Sequence, residues 1–343
     1  MPKIILSMIV RNEAHVIKRC LDSVKGIIDG FYIVDTGSMD DTVGIIYGEL
    51  KDIPGQVVHS PWTNNFALHR NEALEKIPKD CYALCPDADD EVKVFPYFKK
   101  EQLTQLAYAI PHSTTGDCKN YRVILFRPDG LKWKKVRHEM VVGMEHAEIF
   151  HALAIKVNGD GARSKVNKFE GDIAAIEEEI ERNGSLDGSE VFDLAQSYKD
   201  AGYSEKAIQT YEKFINFYRG PAMQEMRCVA SITCAALEMQ GYDQRTQEFL
   251  ERAIAIDNTR IEPYVYLTEY FLKHGRFEDA VKVSAKAIQI PKTFHYLNEV
   301  TSLWNDGRYR VHEDALCKFK RYKDQLNQHS ANGKTVLYQG EEC

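Results

Sequence analysis

The sequence predicts an α/β domain, a mostly parallel sheet with flanking helices, followed by an all-α domain of helical repeats. Three observations carry the prediction. Apolar runs of strand length alternate with helix-like stretches over the first 90 or so residues, the rhythm of a sheet covered on both faces. From about Lys168 the strand-like runs stop and helical periodicity takes over. A glycine-centred pattern then recurs, with Gly202, Gly241 and Gly275 spaced 39 and 34 residues apart, against a period of about 34 for tetratricopeptide units.

Taken in order, Ile4–Val10 is a near-continuous apolar run, as expected of a strand buried on both faces. Ala14, Ile17, Cys20, Leu21 and Val24 share one helical face. Phe31–Val34 reads as the second strand, stopped by Asp35-Thr36-Gly37-Ser38. A helix around Thr42–Leu50, a strand at Gln56–His59, a helix around Ala67–Lys76 and a strand at Tyr82–Cys85 continue the alternation. Tyr121–Phe126 and Leu131–Val136, separated by Pro128-Asp129-Gly130, read as an antiparallel hairpin. Ile173, Ile176 and Ile180 then line a helix that Asn183-Gly184 would stop.

The first repeat runs through Leu194-Ala195, Tyr198, Gly202-Tyr203, Ala207, Tyr211 and Phe214, the second through Cys234, Leu237, Gly241-Tyr242, Thr246, Leu250 and Ala253. The third runs through Leu267-Thr268, Phe271, Gly275, Ala280, Ser284 and Ala287. A degenerate fourth would use Tyr296, Leu303, Gly307 and Leu316, and the residues from about 328 look frayed. The expected division is residues 1–165, 166–327 and a flexible tail at 328–343, a comfortable two-domain length.

The net charge of −7 disfavours a phosphate-tracking nucleic-acid binder, which carries a basic excess. None of the eight cysteines forms a CxxC pair, and Met1-Pro2-Lys3 leads straight into a strand. Both features point to reduced thiols in a cytoplasmic protein. No apolar run approaches the roughly 20 residues that cross a bilayer.

The sharpest polar constellation is Asp87-Ala88-Asp89-Asp90-Glu91, directly after a strand. Alternating carboxylates at that edge suit Mg²⁺ or Mn²⁺ bridging a nucleotide diphosphate, because ligands of open α/β sheets bind there and a hard cation takes oxygen ligands. Acidic tripeptides are also common in solvated loops, and alone this one would be read so. Two further strands end in polar clusters, Arg11-Asn12-Glu13 and Asp35-Thr36-Gly37-Ser38. Each has a plain turn or N-cap explanation, yet three such ends on one rim is a rare coincidence.

Ile9-Val10-Arg11-Asn12-Glu13, Val34-Asp35-Thr36-Gly37-Ser38, Pro61-Trp62 with Phe66 and Arg70-Asn71, and Asp87-Ala88-Asp89 follow one another in the order and spacing of glycosyltransferase family 2, of the inverting GT-A fold. Phe126-Arg127, Trp133, His138-Glu139 and Asp160-Gly161-Ala162-Arg163-Ser164 extend the match. More narrowly, the layout resembles the subgroup joined to tetratricopeptide repeats and is similar to that of bacteriocin peptide S-glycosyltransferases. The chain departs from the family at Asn64-Asn65, where acidic residues often stand, and at Val157-Asn158-Gly159, where a metal-binding histidine often precedes Asp160.

The resemblance implies transfer of a sugar from a nucleotide-diphosphate donor, with a UDP-sugar favoured, to an acceptor that the sequence leaves open: peptide, protein or glycan. It implies that Asp35 binds the uracil or ribose side, that Asp89 ligates Mn²⁺ or Mg²⁺, and that Asp87 contacts ribose or metal. Arg11, Glu13, Ser38, Arg70, Asn71 and Ala88 would lie along the donor, and His151 would substitute as the third metal ligand. The metal and Arg163 would neutralise the departing diphosphate. Glu139, with His138 beside it, is the candidate base, against Asp90 and Glu91 as rivals and a plain surface strand end as the bland alternative. Trp62 and Trp133 could stack a base or sugar, although core packing is the commoner use. The repeats would bind an acceptor, a protein partner or a second copy of the chain. A nucleotidyltransferase and an interaction protein with a dead N-terminal domain are the competing expectations. The first lacks a glycine-rich basic loop after the opening strand, and the second predicts eroded acidic motifs where Asp35, Asp87 and Asp89 stand intact. A nucleic-acid acceptor is disfavoured by the acidic balance.

Overall fold

The computed structural model describes residues 1–113, 118–144, 146–165, 168–183, 187–220, 223–240, 245–293, 299–300 and 303–332. Gly184, Gly241-Tyr242, Tyr296 and the tail beyond residue 332 lie outside the described residues. By packing, the chain forms two compact units, Met1–Ala201 and Gly202–Cys343.

In the first unit, β1 (Ile4–Val10), α1 (Ile17–Val24), β2 (Gly30–Asp35), α2 (Thr42–Glu49), β3 (Gly55–His59), α3 (Phe66–Leu74) and β4 (Tyr82–Leu84) follow the expected alternation. β5 (Asp90–Val94), β6 (Ala107–Ser113), β7 (Cys118–Phe126), β8 (Lys132–Lys134), β9 (Met140–Val142), β10 (Glu148–Ile149) and β11 (Leu153–Val157) come next. Two helices, α4 (Lys168–Asn183) and α5 (Gly188–Asp200), end the unit and pack on each other.

The sheet is mixed and runs β3-β2-β1-β4-β7-β6-β11-β5, with β10 beside β6. It is parallel through β3, β2, β1 and β4, and turns antiparallel where β7 joins β4. In β1, Ile4, Leu6, Met8 and Val10 are buried on one face, and Ile17, Cys20, Leu21 and Val24 of α1 are fully buried. That i, i+3, i+4, i+7 spacing is the apolar stripe by which a helix covers a sheet.

The expected hairpin of Tyr121–Phe126 with Leu131–Val136 does not form. β7 pairs with β6, and β8 pairs with β9 in a separate two-stranded sheet. The cause is competition for backbone groups. Arg127 N–H donates to the Leu106 carbonyl at 2.9 Å, which carries the β6 pairing on past β7. The Asn71 amide clasps Trp133, donating to its carbonyl (2.9 Å) and accepting from its N–H (2.8 Å). A side chain thereby takes the backbone groups that a strand partner would use.

The second unit is helical: α6 (Ser204–Phe217), α7 (Gln224–Gln240), α8 (Thr246–Ile256), α9 (Glu262–Lys273), α10 (Phe277–Ala287) and α11 (Arg308–Asn332). Successive helices pack as neighbours, α7 on α8, α9 on α10 and α10 on α11. The repeat positions Ala207, Tyr211, Phe214, Cys234, Leu250, Ala253, Leu267, Phe271, Ala280 and Ala287 are buried. Gly275 ends α9 at φ +69°, a left-handed value that favours glycine at a helix stop. At the last position of the expected fourth unit Leu316 is exposed, and the neighbouring Ala315 is fully buried instead. α11 thus turns a small residue inward, which permits close approach of a neighbouring helix.

Candidate functional site

The rim formed by the ends of β1, β2 and β4 is built from reciprocal hydrogen bonds between loops. Asn12, at φ +56°, donates its N–H to Ser38 Oγ at 3.0 Å and accepts from Met39 N–H at 2.7 Å. Glu13 N–H donates to Thr42 Oγ1 at 2.8 Å. Asp35 is buried and accepts from Ser38 N–H at 3.1 and 3.2 Å, with His59 Nδ1 at 3.2 Å. Ser38 therefore ties one strand end to the next, and His59, which the sequence did not single out, flanks Asp35 because β3 pairs with β2 in register.

A cavity of about 420 Å³ opens at the ends of β1 and β2, within the size range of small-ligand sites. Arg11, Asn12 and Glu13 line it together with Trp62, Phe66, Arg137 and Arg163. Arg163 and Arg137 both pair with Asp172 of α4. Their guanidinium groups stand 4.7 and 5.1 Å from the Phe66 ring centre, a favourable cation–π arrangement. Arg137 also donates to the carbonyl of Asn64 (2.8 Å) and to its side-chain oxygen (2.5 Å). Asn65 caps α3 by accepting from Leu68 N–H at 3.0 Å. The asparagines that replace the family's acidic residues thus anchor the cavity wall. Arg11 is exposed and, among the described residues, makes no ion pair.

A second cavity of about 460 Å³ lies against β7, β8 and β9. Here the charges answer one another. Asp87 is held by Arg70 and, at 3.0 Å, by Arg122. Arg70 Nε donates to Glu139 Oε1 at 2.7 Å, and Arg122 also pairs with Asp90, whose Oδ2 accepts from Asp87 N–H at 2.9 Å. The β4–β7 register delivers this: Ala83 faces Phe126, Leu84 faces Leu125, and Cys85 N–H donates to the Ile124 carbonyl. Two residues further on, Asp87 meets Arg122. Burial alone would raise the Asp87 pKa, but Arg122 and Arg70 override it and pull it down to about 2. For Asp90 burial wins, helped by the Asp87 charge and opposed by Arg122, and its pKa rises to about 6.

Asp89 and Glu13 meet over one turn. Gly161 N–H donates to Asp89 Oδ2 at 3.1 Å and Ala162 N–H to Glu13 Oε2 at 3.0 Å. Asn158, standing near the family's histidine position, donates to the Asp89 carbonyl at 3.0 Å. Burial raises the Glu13 pKa against the Ala162 hydrogen bond, and the Asp89 charge adds to the rise. Among the described residues Asp89 Oδ1 has no hydrogen-bond partner, and no group of three His, Cys, Asp or Glu side chains converges as a metal site. One open carboxylate oxygen fits a hard cation whose other positions are filled by phosphate and water. Asp87 does not fit that role, since two guanidinium groups occupy its oxygens.

The structure brings together Arg11, Glu13, Asp35, Ser38, Ala88, Asp89 and Arg163 around the strand ends, and Arg70, Asp87, His138 and Glu139 around the second cavity. His151 is not brought to either. It precedes β11, whose antiparallel ladder pairs Leu153 with Val94 and Val157 with Asp90, so His151 lies at the end of β5 remote from Asp89. Asn71 is committed to Trp133, and the buried Trp133 packs edge-on against Phe126. Arg122, Arg137 and Asp172 were missed by the sequence reading. A cation inside the apolar run Tyr121–Phe126 was the available signal for Arg122, because a charge there demands a carboxylate. Cys20, Cys81, Cys85, Cys228 and Cys234 are buried thiols.

Residues 6–111 match the family described as Glycosyl transferase family 2. A TPR repeat-containing protein of Synechococcus elongatus is 31% identical over 150 residues, covering 41% of this chain and 36% of that protein. The SPbeta prophage-derived glycosyltransferase SunS of Bacillus subtilis is 25% identical over 238 residues, covering 62% of this chain and 55% of SunS. The chain thus spans about half or less of the length of these curated relatives. Among solved structures, S. aureus TarS in complex with UDP-GlcNAc is 13% identical and covers 73% of this chain and 92% of TarS, with a TM-score of 0.39. No helix among the described residues is long and apolar enough to cross a membrane.

Proposed function

We propose, from the premise that residues 6–111 form a glycosyltransferase family 2 domain, that the protein transfers a sugar from a nucleotide-diphosphate donor, a UDP-sugar by preference, to an acceptor nucleophile with inversion. The observation that carries the reading is the strand-end cavity, lined by Arg11, Glu13, Arg137 and Arg163 together with Trp62 and Phe66, with Asp89 held next to Glu13 by the Gly161-Ala162 turn. Aromatic faces suit a base or sugar, and guanidinium groups suit phosphate oxygens.

Glu139 and Arg70 belong to the acceptor side. Arg70 fixes one oxygen of Glu139 and leaves the other open, among the described residues, to take the acceptor's proton. The deprotonated acceptor forms its bond to the anomeric carbon as the bond to the diphosphate oxygen breaks, through an oxocarbenium-like state. His138 lines the same cavity as a neighbour of the base. Arg11 and Arg163 meet the charge left on the diphosphate. A Mn²⁺ or Mg²⁺ ion, when bound at Asp89, supplies further neutralisation of that leaving group.

The test is a thermal-shift screen of UDP, GDP, dTDP and CMP sugars with and without Mn²⁺, followed by donor hydrolysis with the best binder. A ligand that binds only the native state raises its melting temperature. Stabilisation by one nucleotide class, and its loss in Asp89→Asn, is expected. If no nucleotide stabilises the chain and no donor is turned over, the reading is overturned.

A further inference from the structure

Lys134 to Met140, the reversal between β8 and β9, borders both cavities. Arg137 faces the strand-end cavity, and His138 and Glu139 face the second. Its backbone is strained at two places: Lys135 has φ +81° and His138 φ +50°, a region that residues with a Cβ seldom adopt. Such a conformation persists only where the surroundings over-determine it. On one flank the loop leading into α3 supplies part of that restraint, since Phe66 N–H donates to the Val136 carbonyl at 3.3 Å and Asn64 takes Arg137.

The other flank is α5, which the sequence placed in the helical repeats. Lys134 Nζ reaches the N-cap residue Asp187 at 3.1 Å, and Lys135 Nζ reaches Asp193 at 2.5 Å. His138 Nε2 is 3.3 Å from Ser197 Oγ, which in turn donates to the Asp193 carbonyl at 3.0 Å. The Lys135 and Asp193 side chains are only 7% and 15% exposed. A buried pair of this kind is costly to break from one side, because the remaining charge is left without a partner.

Resting on the glycosyl-transfer reading, we propose that α5 is a positioning element of the transfer site. Asp193 and Ser197 act as positioning residues that hold the strained segment, and through it the placement of Glu139. Arg137 keeps its separate ties to Asn64 and Asp172, so donor binding depends on α5 less than proton removal does.

The experiment uses the full-length chain. Asp193→Asn keeps the shape and removes the charge; Asp193→Glu keeps the charge. Ser197→Ala is the milder variant and carries the test should Asp193→Asn fail to fold. Transfer rate at saturating substrates, donor KM, melting temperature and amide exchange across residues 134–140 are measured. For Asp193→Asn the expected result is a fall in rate of about tenfold or more, given that a displacement near 1 Å can cost about 10²-fold. Donor KM should move less than about threefold, with faster exchange confined to the segment and partial recovery in Asp193→Glu. Ser197→Ala should show the same split at about two- to fivefold. A lowered melting temperature with the parental rate, or unchanged exchange over 134–140, overturns the proposal. If the parent transfers no sugar, the glycosyl-transfer reading fails, and the exchange measurement alone decides whether α5 holds the segment.

Discussion

The two cavities of the first unit use arginine in opposite ways. In the strand-end cavity two arginines, Arg137 and Arg163, share one buried carboxylate, Asp172, and Arg11 stands open in the same cavity as the Trp62 and Phe66 rings. Positive charge is in surplus there. In the second cavity Arg70 and Arg122 are each held between two carboxylates, Asp87 with Glu139 and Asp87 with Asp90. A surplus of donors prepares a site for an anion that arrives with the ligand. A closed network leaves no such surplus and instead fixes side chains in place. On the glycosyl-transfer reading proposed above, the first arrangement would serve donor binding and the second geometry and proton handling.

The largest expected effect falls on the second cavity. Glu139→Gln preserves the hydrogen bond from Arg70 and removes the basic oxygen. Transfer to a hydroxyl acceptor should drop by about 10²–10⁴-fold with donor affinity nearly unchanged. A thiol acceptor, already partly ionised near neutrality, should suffer less. Rate and donor affinity are measured on the same variant. An equal loss in both would move Glu139 to the donor side and dissolve the contrast between the cavities.

The next effect falls on the first cavity. Arg11→Gln removes an exposed cation that holds no partner among the described residues. Nucleotide affinity should weaken by about 1.5–3 kcal/mol, the typical contribution of a hydrogen bond to a charged group. Stability should change by no more than about 0.5 kcal/mol, as at an exposed site away from structural networks. Calorimetric titration with UDP and denaturant unfolding separate the two. Loss of stability without loss of affinity would make Arg11 a structural residue.

This division was only partly legible in the sequence. The strand ends could be read because β1, β2 and β4 are marked locally, by apolar runs stopped at Arg11, Asp35 and the Asp87–Asp89 stretch. The α/β-then-helical layout was legible for the same reason, since periodicity is a local property. The second cavity depends on long-range register. Arg122 reaches Asp87 only because β7 joins β4 antiparallel, and nothing near Arg122 in sequence announces that partner. Arg137 was concealed just past Leu131–Val136, a stretch read as a hairpin strand, so nothing local pointed to a role for it. The misplaced hairpin has the same origin: Pro128-Asp129-Gly130 signals a turn, but which strands pair across it was decided by β6 and by the Asn71 side chain.

The smallest effect concerns pH and tests whether the second network is closed. Asp90 is 1% exposed, and its Oδ1 has no partner among the described residues. Burial and the neighbouring Asp87 charge raise its pKa to about 6, from about 3.9 in an unfolded chain. The folded state therefore binds more protons than the unfolded state between about pH 4 and 6, and this group's stabilising contribution, full below about pH 4, is lost as pH rises through 6. Asp87 works the other way. Its pKa of about 2 gives stability that is present above about pH 4 and lost as pH falls towards 2. The two carboxylates share Arg122, so their titrations belong to the pair. Asp90→Asn removes the upper titration, and its stability relative to the parent should improve by about 1–3 kcal/mol between pH 4 and 7. Its absolute stability is free to fall, because Arg122 loses an anionic partner; the change with pH is the informative quantity. Urea unfolding of both proteins at pH 4, 5, 6 and 7 measures it. Parallel curves would mean that Asp90 does not titrate in this range, and that the second cavity carries its negative charge openly, as the first carries its positive charge.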